Sequence, residues 1–131
     1  MISQDLIGLF VEVWNEMDED AIEELGEVRA STINNGWCYQ FVVVMQRVYG
    51  GNIICSYDHA WLRKDGVDYD SSNPKGASCI GRGEIMNDIQ DLHTYWDKAN
   101  SGPIRDDIIE EVVARFEAIQ ATQTYKARNC G

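Results

Sequence analysis

With 131 residues, 44% of them apolar and 25% charged, the chain is long enough to bury a core, and residues 1–131 read as one domain. A formal net charge of −11 argues against unaided binding to nucleic-acid phosphates or to anionic membranes. It allows a basic protein partner, or a protein that mimics nucleic acid.

No apolar run approaches the roughly 18 residues of a membrane-spanning helix. Met1-Ile2-Ser3-Gln4-Asp5 lacks a basic n-region, so a signal peptide is not expected. Cys38, Cys55, Cys79 and Cys130 could form two disulfides, but without an export signal reduced thiols in a cytoplasmic protein are the expectation. The chain has no Cys-x-x-Cys and no His-x-x-x-His pair, so neither a metal site nor a cofactor is expected.

In chain order, residues 3–17 carry Leu6, Phe10, Val13, Trp14 and Met17 at helical spacing, with Ser3 placed to cap. Ile22, Leu25 and Val28 resume the apolar pattern after Asp18-Glu19-Asp20. The first 28 residues contain nine acids and no Lys or Arg, which reads as a solvated acidic face or as a docking surface for a basic partner. A polar stretch ends at Asn34-Asn35-Gly36. A second helix is expected over 37–49, with Cys38, Phe41, Val42, Met45 and Tyr49 on its apolar side. Val42-Val43-Val44 suits a strand equally well, but the length of the run and the Gly50-Gly51 stop favour a buried helix.

Three strands fit 52–57, 59–64 and 67–72, the last two joined by Asp65-Gly66, a strong two-residue hairpin signal. That turn sets 64 against 67, 62 against 69 and 61 against 70. Ala60, Leu62, Val67 and Tyr69 then share the core face, and His59, Trp61, Arg63, Asp68 and Asp70 share the other. Residues 73–76 read as a loop and 77–83 as a short Gly-rich connection. A helix is expected over 84–99 with Ile85, Ile89, Leu92 and Trp96 on one side. Another starts at Pro103 and buries Ile104, Ile108, Val112, Phe116 and Ile119, followed by a polar, mobile tail from Thr122. The fold class is α+β, a small antiparallel sheet packed with about four helices.

The chemistry concentrates in Gly36-Trp37-Cys38-Tyr39-Gln40-Phe41 and, 21 residues beyond the cysteine, His59-Ala60-Trp61-Leu62. A cysteine at a helix start has the dipole and free backbone N–H groups beside its sulfur. The hairpin register brings His59 within reach of Asp70, a diagonal neighbour able to orient the imidazole. Cys38 as nucleophile, His59 as general base and acid, and Asp70 as the orienting carboxylate make a thiol acyl-transfer site. Asp68 is the alternative carboxylate if the hairpin loop is longer. The Cys38 N–H is one oxyanion donor, with Asn34, Asn35 or the backbone near Trp37 as candidates for the second. Trp37 and Trp61 either wall the cleft or pack in the core. Cys55 reads as a packed residue, Cys79 as exposed, and His93 as a surface residue.

These two motifs, with Tyr69-Asp70, resemble the papain-like cysteine fold and within it the transglutaminase-like branch. The resemblance covers about residues 34–72. It implies Cys38, His59 and Asp70 in triad roles and acyl transfer from an amide: peptide hydrolysis, deamidation or transglutamination, on a peptide or protein substrate. The chain lacks papain's Cys-Gly-Ser-Cys-Trp signature and its upstream Gln, and also the Asp-Cys-Ser-Gly signature of the NlpC/P60 peptidases. Its small, acidic form is similar to proteins carried by bacteriophages and mobile elements. The contrasting expectation is a non-catalytic acidic module, a binder or inhibitor built on a degenerate copy of the same scaffold.

Overall fold

The computed structural model describes residues 1–34, 36–56, 59–86 and 104–130. Three long helices are present among them: α1 (Gln4–Met17), α3 (Cys38–Tyr49) and α4 (Asp106–Cys130), with a seven-residue α2 (Glu19–Leu25) and a 3-10 turn at Ala30–Thr32. Five strands, β1 (Asn52–Cys55), β2 (Ala60–Lys64), β3 (Val67–Asp70), β4 (Asn73–Ala77) and β5 (Glu84–Met86), form one antiparallel sheet in the order β4-β3-β2-β1-β5. The class is therefore α+β. No helix among the described residues is long and apolar enough to cross a membrane.

Helix α1 begins where Ser3 accepts a hydrogen bond from the Asp5 N–H at 3.1 Å, and Asp5 complements the helix dipole. Its stripe of Leu6, Phe10, Val13 and Trp14 is buried, whereas Met17 lies at its exposed end. Phe10 stacks on Trp14 and meets Phe41 of α3 edge-on, with ring centroids 5.1 Å apart. The chain folds back after α2 because the Asn15 carboxamide grips Val28 at both N–H and C=O, at 2.8 and 2.9 Å.

Helix α3 is the central element. Cys38 through Met45 are all buried, which explains why a helix tolerates Val42-Val43-Val44. Packing between the sheet and the other helices outweighs β-propensity. The helix stops at Gly50, whose φ of 76° and N–H bond to the Gln46 carbonyl close the last turn.

The hairpin register follows the expectation: Leu62 faces Tyr69 and Lys64 faces Val67. Asp65 and Gly66 both have positive φ, 52° and 77°, as a two-residue type I′ turn demands. Ile53, Cys55, Ala60 and Leu62 form the apolar face beneath the helices. The opposite face is not open either. Trp61, Asp68 and Asp70 are buried there, where the chain after β4 passes over them: the Ile80 N–H reaches Asp68 at 2.9 Å.

Three expectations are corrected. Residues 73–76 are not a loop but part of β4, an edge strand in which a proline costs no ladder bond. The Pro74 carbonyl instead accepts from the Ile2 N–H at 2.6 Å. The stretch 84–99 does not begin as a helix, because Glu84–Met86 pair with β1, Ile85 opposite Ile54. That pairing overrides the helical spacing of the side chains, and the remainder of the stretch, including His93, lies outside the described residues. The chain beyond Thr122 is not a loose tail. Helix α4 continues to Cys130, with the Thr122 hydroxyl donating to the Ala118 carbonyl at 3.0 Å. Ile104, Ile108, Val112 and Phe116 are buried as expected.

Candidate active site

Cys38 is the first residue of α3, and the residue before it, Trp37, makes no side-chain cap. The Cys38 N–H therefore has no acceptor within the helix. Trp37 anchors this helix start from the core. It is 5% exposed, and its N–H donates to the Ile33 carbonyl at 2.9 Å. His59 stands immediately before β2, and Asp70 ends β3. The two-residue turn between those strands fixes their separation. His59 Nε2 lies 3.0 Å from Asp70 Oδ2, and the Cys38 side chain is near enough to the same imidazole to raise its pKa. The three residues singled out for acyl transfer are thus in one chain of contacts. Because Asp70 holds Nε2, Nδ1 is the imidazole nitrogen left for the thiol.

Asp70 is anchored from its other oxygen. Oδ1 accepts from the N–H groups of Ser72 and Asn73 at 3.0 and 2.8 Å and from the Asn73 carboxamide at 2.9 Å. Burial alone would raise its pKa. Hydrogen bonds from His59 and from the Asn73 side chain and N–H outweigh burial and hold it below the ordinary carboxylate value. For His59, burial opposes the charged form, but the bond to Asp70, the nearby Cys38 side chain and the negative charge of both raise its pKa to about 9. The imidazole ring stacks on Trp61 with centroids 5.6 Å apart.

Asp68, the alternative carboxylate, serves elsewhere. It is fully buried and bound by Arg63 Nε at 2.7 Å, Arg63 Nη2 at 3.2 Å, Trp61 Nε1 at 3.1 Å and the Ile80 N–H at 2.9 Å. Trp61, 1% exposed and tethered to Asp68, is a support for the imidazole and not the wall of an open cleft. Trp37 likewise packs in the core. Asn35 lies outside the described residues. Asn34, the other carboxamide considered for the oxyanion, points toward the β3–β4 turn and donates to Ser72 Oγ at 3.0 Å.

Cys55 is buried on the apolar face of the sheet near Cys38, and burial, reinforced by the Cys38 charge, pushes its thiol up to about 12. It is inert at neutral pH, whereas Cys79 is exposed. No cluster of three or more metal-ligating side chains occurs among the described residues. A cavity of about 500 Å³ lined by Ile2, Tyr49, Pro74 and Phe116 lies at the far end of α3 from Cys38. Over the twelve residues of the helix that is a distance of roughly 16 Å, so the cavity takes no part in the site.

Sequence reasoning missed the donors that fix Asp70. The spacing Asp70-Ser71-Ser72-Asn73 carries the signal, since an Asp whose carboxylate accepts from backbone two and three residues on is a recurrent turn device. It also missed Asp68 as a structural carboxylate, whose partner Arg63 stands directly opposite in the hairpin register. Comparison with protein-family models, with curated proteins and with solved structures gave no match.

Proposed function

We propose that this chain is a cysteine-dependent acyl-transfer enzyme acting on an amide of a peptide or protein, with a papain-like, transglutaminase-like arrangement of its site. The observation that carries the reading is the chain of contacts from Cys38 through His59 to Asp70, with the 3.0 Å bond at its second link. In its neutral form His59 takes the thiol proton, and the Cys38 sulfur adds to the amide carbonyl carbon. The N–H at the start of α3 supports the oxyanion. His59 then gives its proton to the departing amine as the C–N bond breaks, leaving a thioester on Cys38. Water, activated by the same imidazole, hydrolyses it. An amine acceptor in place of water gives transamidation. Asp70 holds the imidazole orientation throughout. Thiol chemistry of this kind needs a reduced Cys38, which fits a cytoplasmic setting.

The contrasting reading, an acidic binding module, loses part of its basis in the N-terminal acids. Asp18 pairs with Arg105 at 3.1 Å and Glu16 with Arg115 at 3.1 Å, so these carboxylates join α1 to the α4 region.

The decisive test is alkylation with iodoacetamide, read cysteine by cysteine by peptide mass spectrometry, followed by amide-substrate screening of native protein and Cys38→Ala. Cys38 is expected to react faster than Cys79, and His59→Ala to remove that advantage. A Cys38 that reacts no faster than Cys79 in the native protein, or a Cys38→Ala protein with full amidase activity, would overturn the proposal.

A further inference from the structure

The site is assembled from two separate pieces of chain. Cys38 belongs to α3, whereas His59 and Asp70 belong to the hairpin. Helix-to-sheet packing joins them through apolar contacts, which set distance loosely and orientation hardly at all. At the site end of the interface the described residues show two polar connections of a different kind: the Tyr39 hydroxyl of α3 donates to the Ser56 carbonyl at 3.2 Å, and the Asn34 side chain reaches the β3–β4 turn. The Asn34 carboxamide donates to Ser72 Oγ at 3.0 Å and approaches Asp70 Oδ2 at 3.5 Å, and its oxygen accepts from the Ser71 hydroxyl at 3.1 Å. One side chain thus holds three consecutive residues of the β3–β4 turn.

On its own side Asn34 is fixed to the cysteine. Ile33 is fully buried, and its carbonyl accepts the Trp37 N–H at 2.9 Å. The Trp37 carbonyl in turn accepts from Phe41 at 2.9 Å, which continues the hydrogen-bonded path into α3. Asn34 follows the anchored Ile33 and stands four residues before Cys38, so its side chain ties the entry to α3 to the turn that follows Asp70.

We infer that Asn34 is a positioning residue that locks the Cys38 half of the site to the His59–Asp70 half, and not an oxyanion donor. The inference rests on the thiol reading of the site. A carboxamide suits the role because it donates and accepts at once without charge. Aspartate would keep the acceptor for Ser71 but set a second negative charge beside Asp70. Misalignment of reacting groups by about 1 Å can cost up to roughly 100-fold, so a partial loss of register at one of several supports should cost less.

The test compares native protein with Asn34→Ala and Asn34→Asp, reading alkylation at Cys38 and Cys79 and the His59 titration by NMR. Asn34→Ala is expected to slow Cys38 by roughly 10-fold with Cys79 unchanged. Asn34→Asp should slow Cys38 similarly and also raise the His59 midpoint, a shift that mere loosening of the fold would not give. An unchanged Cys38 rate in Asn34→Ala, or an unmoved His59 midpoint in Asn34→Asp, would overturn the inference. Should either variant fail to fold, Ser71→Ala/Ser72→Ala decides, since it removes the partners at the turn surface while leaving Asn34. It is expected to slow Cys38 several-fold, and no slowing would overturn the inference. The two readings fail separately. A native Cys38 that reacts no faster than Cys79 sinks the thiol enzyme, whereas a fast Cys38 indifferent to Asn34 sinks only the lock.

Discussion

Asp68 and Asp70 stand two residues apart on the same face of β3, and 0% and 4% of their surface is exposed. Both carboxylates are held below their ordinary pKa by hydrogen bonds that outweigh burial. They differ in the partner. Asp68 meets a guanidinium that keeps its charge at every accessible pH, together with an indole and a backbone N–H that cannot titrate. Asp70 meets an imidazole that can gain and lose a proton, and that imidazole also touches a thiol. The Asp68 cluster can only hold its shape. The Asp70 cluster can hold its shape and move a proton. Burial of an acid therefore does not mark function by itself; a titratable partner with a second reactive contact does.

The largest effect that would break this contrast is on turnover. Asp70→Asn is expected to lower the rate on an amide substrate by roughly 10³-fold, the range in which positioned acid–base catalysis contributes. Asp68→Asn should leave turnover within about threefold while the protein stays folded, because Asp68 touches neither thiol nor imidazole. Steady-state kinetics of both variants on one substrate checks the pair, and equal losses would erase the distinction. Next comes stability. Asp68→Ala strands the Trp61 and Ile80 donors and one face of Arg63, at a cost of roughly 3 kcal/mol in a urea titration.

The reach of the sequence divides along the same line. The meeting of His59 with Asp70 was legible because a turn dipeptide and a period of two fix register, and register fixes which side chains meet. The stripes of α1 and α4 were legible for the same kind of reason. The strand at Glu84–Met86 was not, because its backbone bonds go to β1, about 30 residues away in sequence, and its side chains also fit a helix. The β4 edge strand hid behind Pro74 and Gly76. Gly76 sits at φ 102°, where a Cβ would come within 2.5 Å of the Val67 side chain, so turn-like residues are what this strand requires. The roles of Trp37 and Trp61 depended on what covers each face, and local pattern carries no information on that. Asn34 was considered only for the oxyanion, since its partners at residues 70–72 become visible only once the β3–β4 turn is placed against α3.

A smaller effect sharpens the comparison through pH. His59 has its folded pKa raised to about 9 from an ordinary 6.5, so folding binds its proton more tightly. The stability this supplies is fully present below about pH 6.5 and is lost as pH rises through 9, a fall of at most about 3 kcal/mol. Asp70 is depressed, so its share is present above the ordinary carboxylate pKa and lost as pH falls through the folded value. Urea titrations from pH 4 to 10 should therefore show a maximum near pH 5–6.5. Asp70→Asn should shrink the alkaline limb, and Asp68→Asn should leave it in place. An alkaline limb undiminished in Asp70→Asn would mean that the charge holding His59 protonated lies elsewhere than on Asp70.

The smallest effect tests how much the anchoring of Asp70 matters to its partner. Asn73→Ala removes one hydrogen bond to Asp70 Oδ1 and leaves the Ser72 and Asn73 N–H groups in place. The expected cost is about 1 kcal/mol in stability, with turnover reduced by no more than about threefold. The reason is redundancy: two of the three donors to that oxygen are backbone, and substitution cannot delete them. Turnover reduced far beyond that, at unchanged stability, would mean that the Asn73 carboxamide aims the carboxylate and does not merely anchor it. Asp70 would then depend on side chains for its direction as Asp68 depends on Arg63, and the contrast between the two acids would rest on the titratable partner alone.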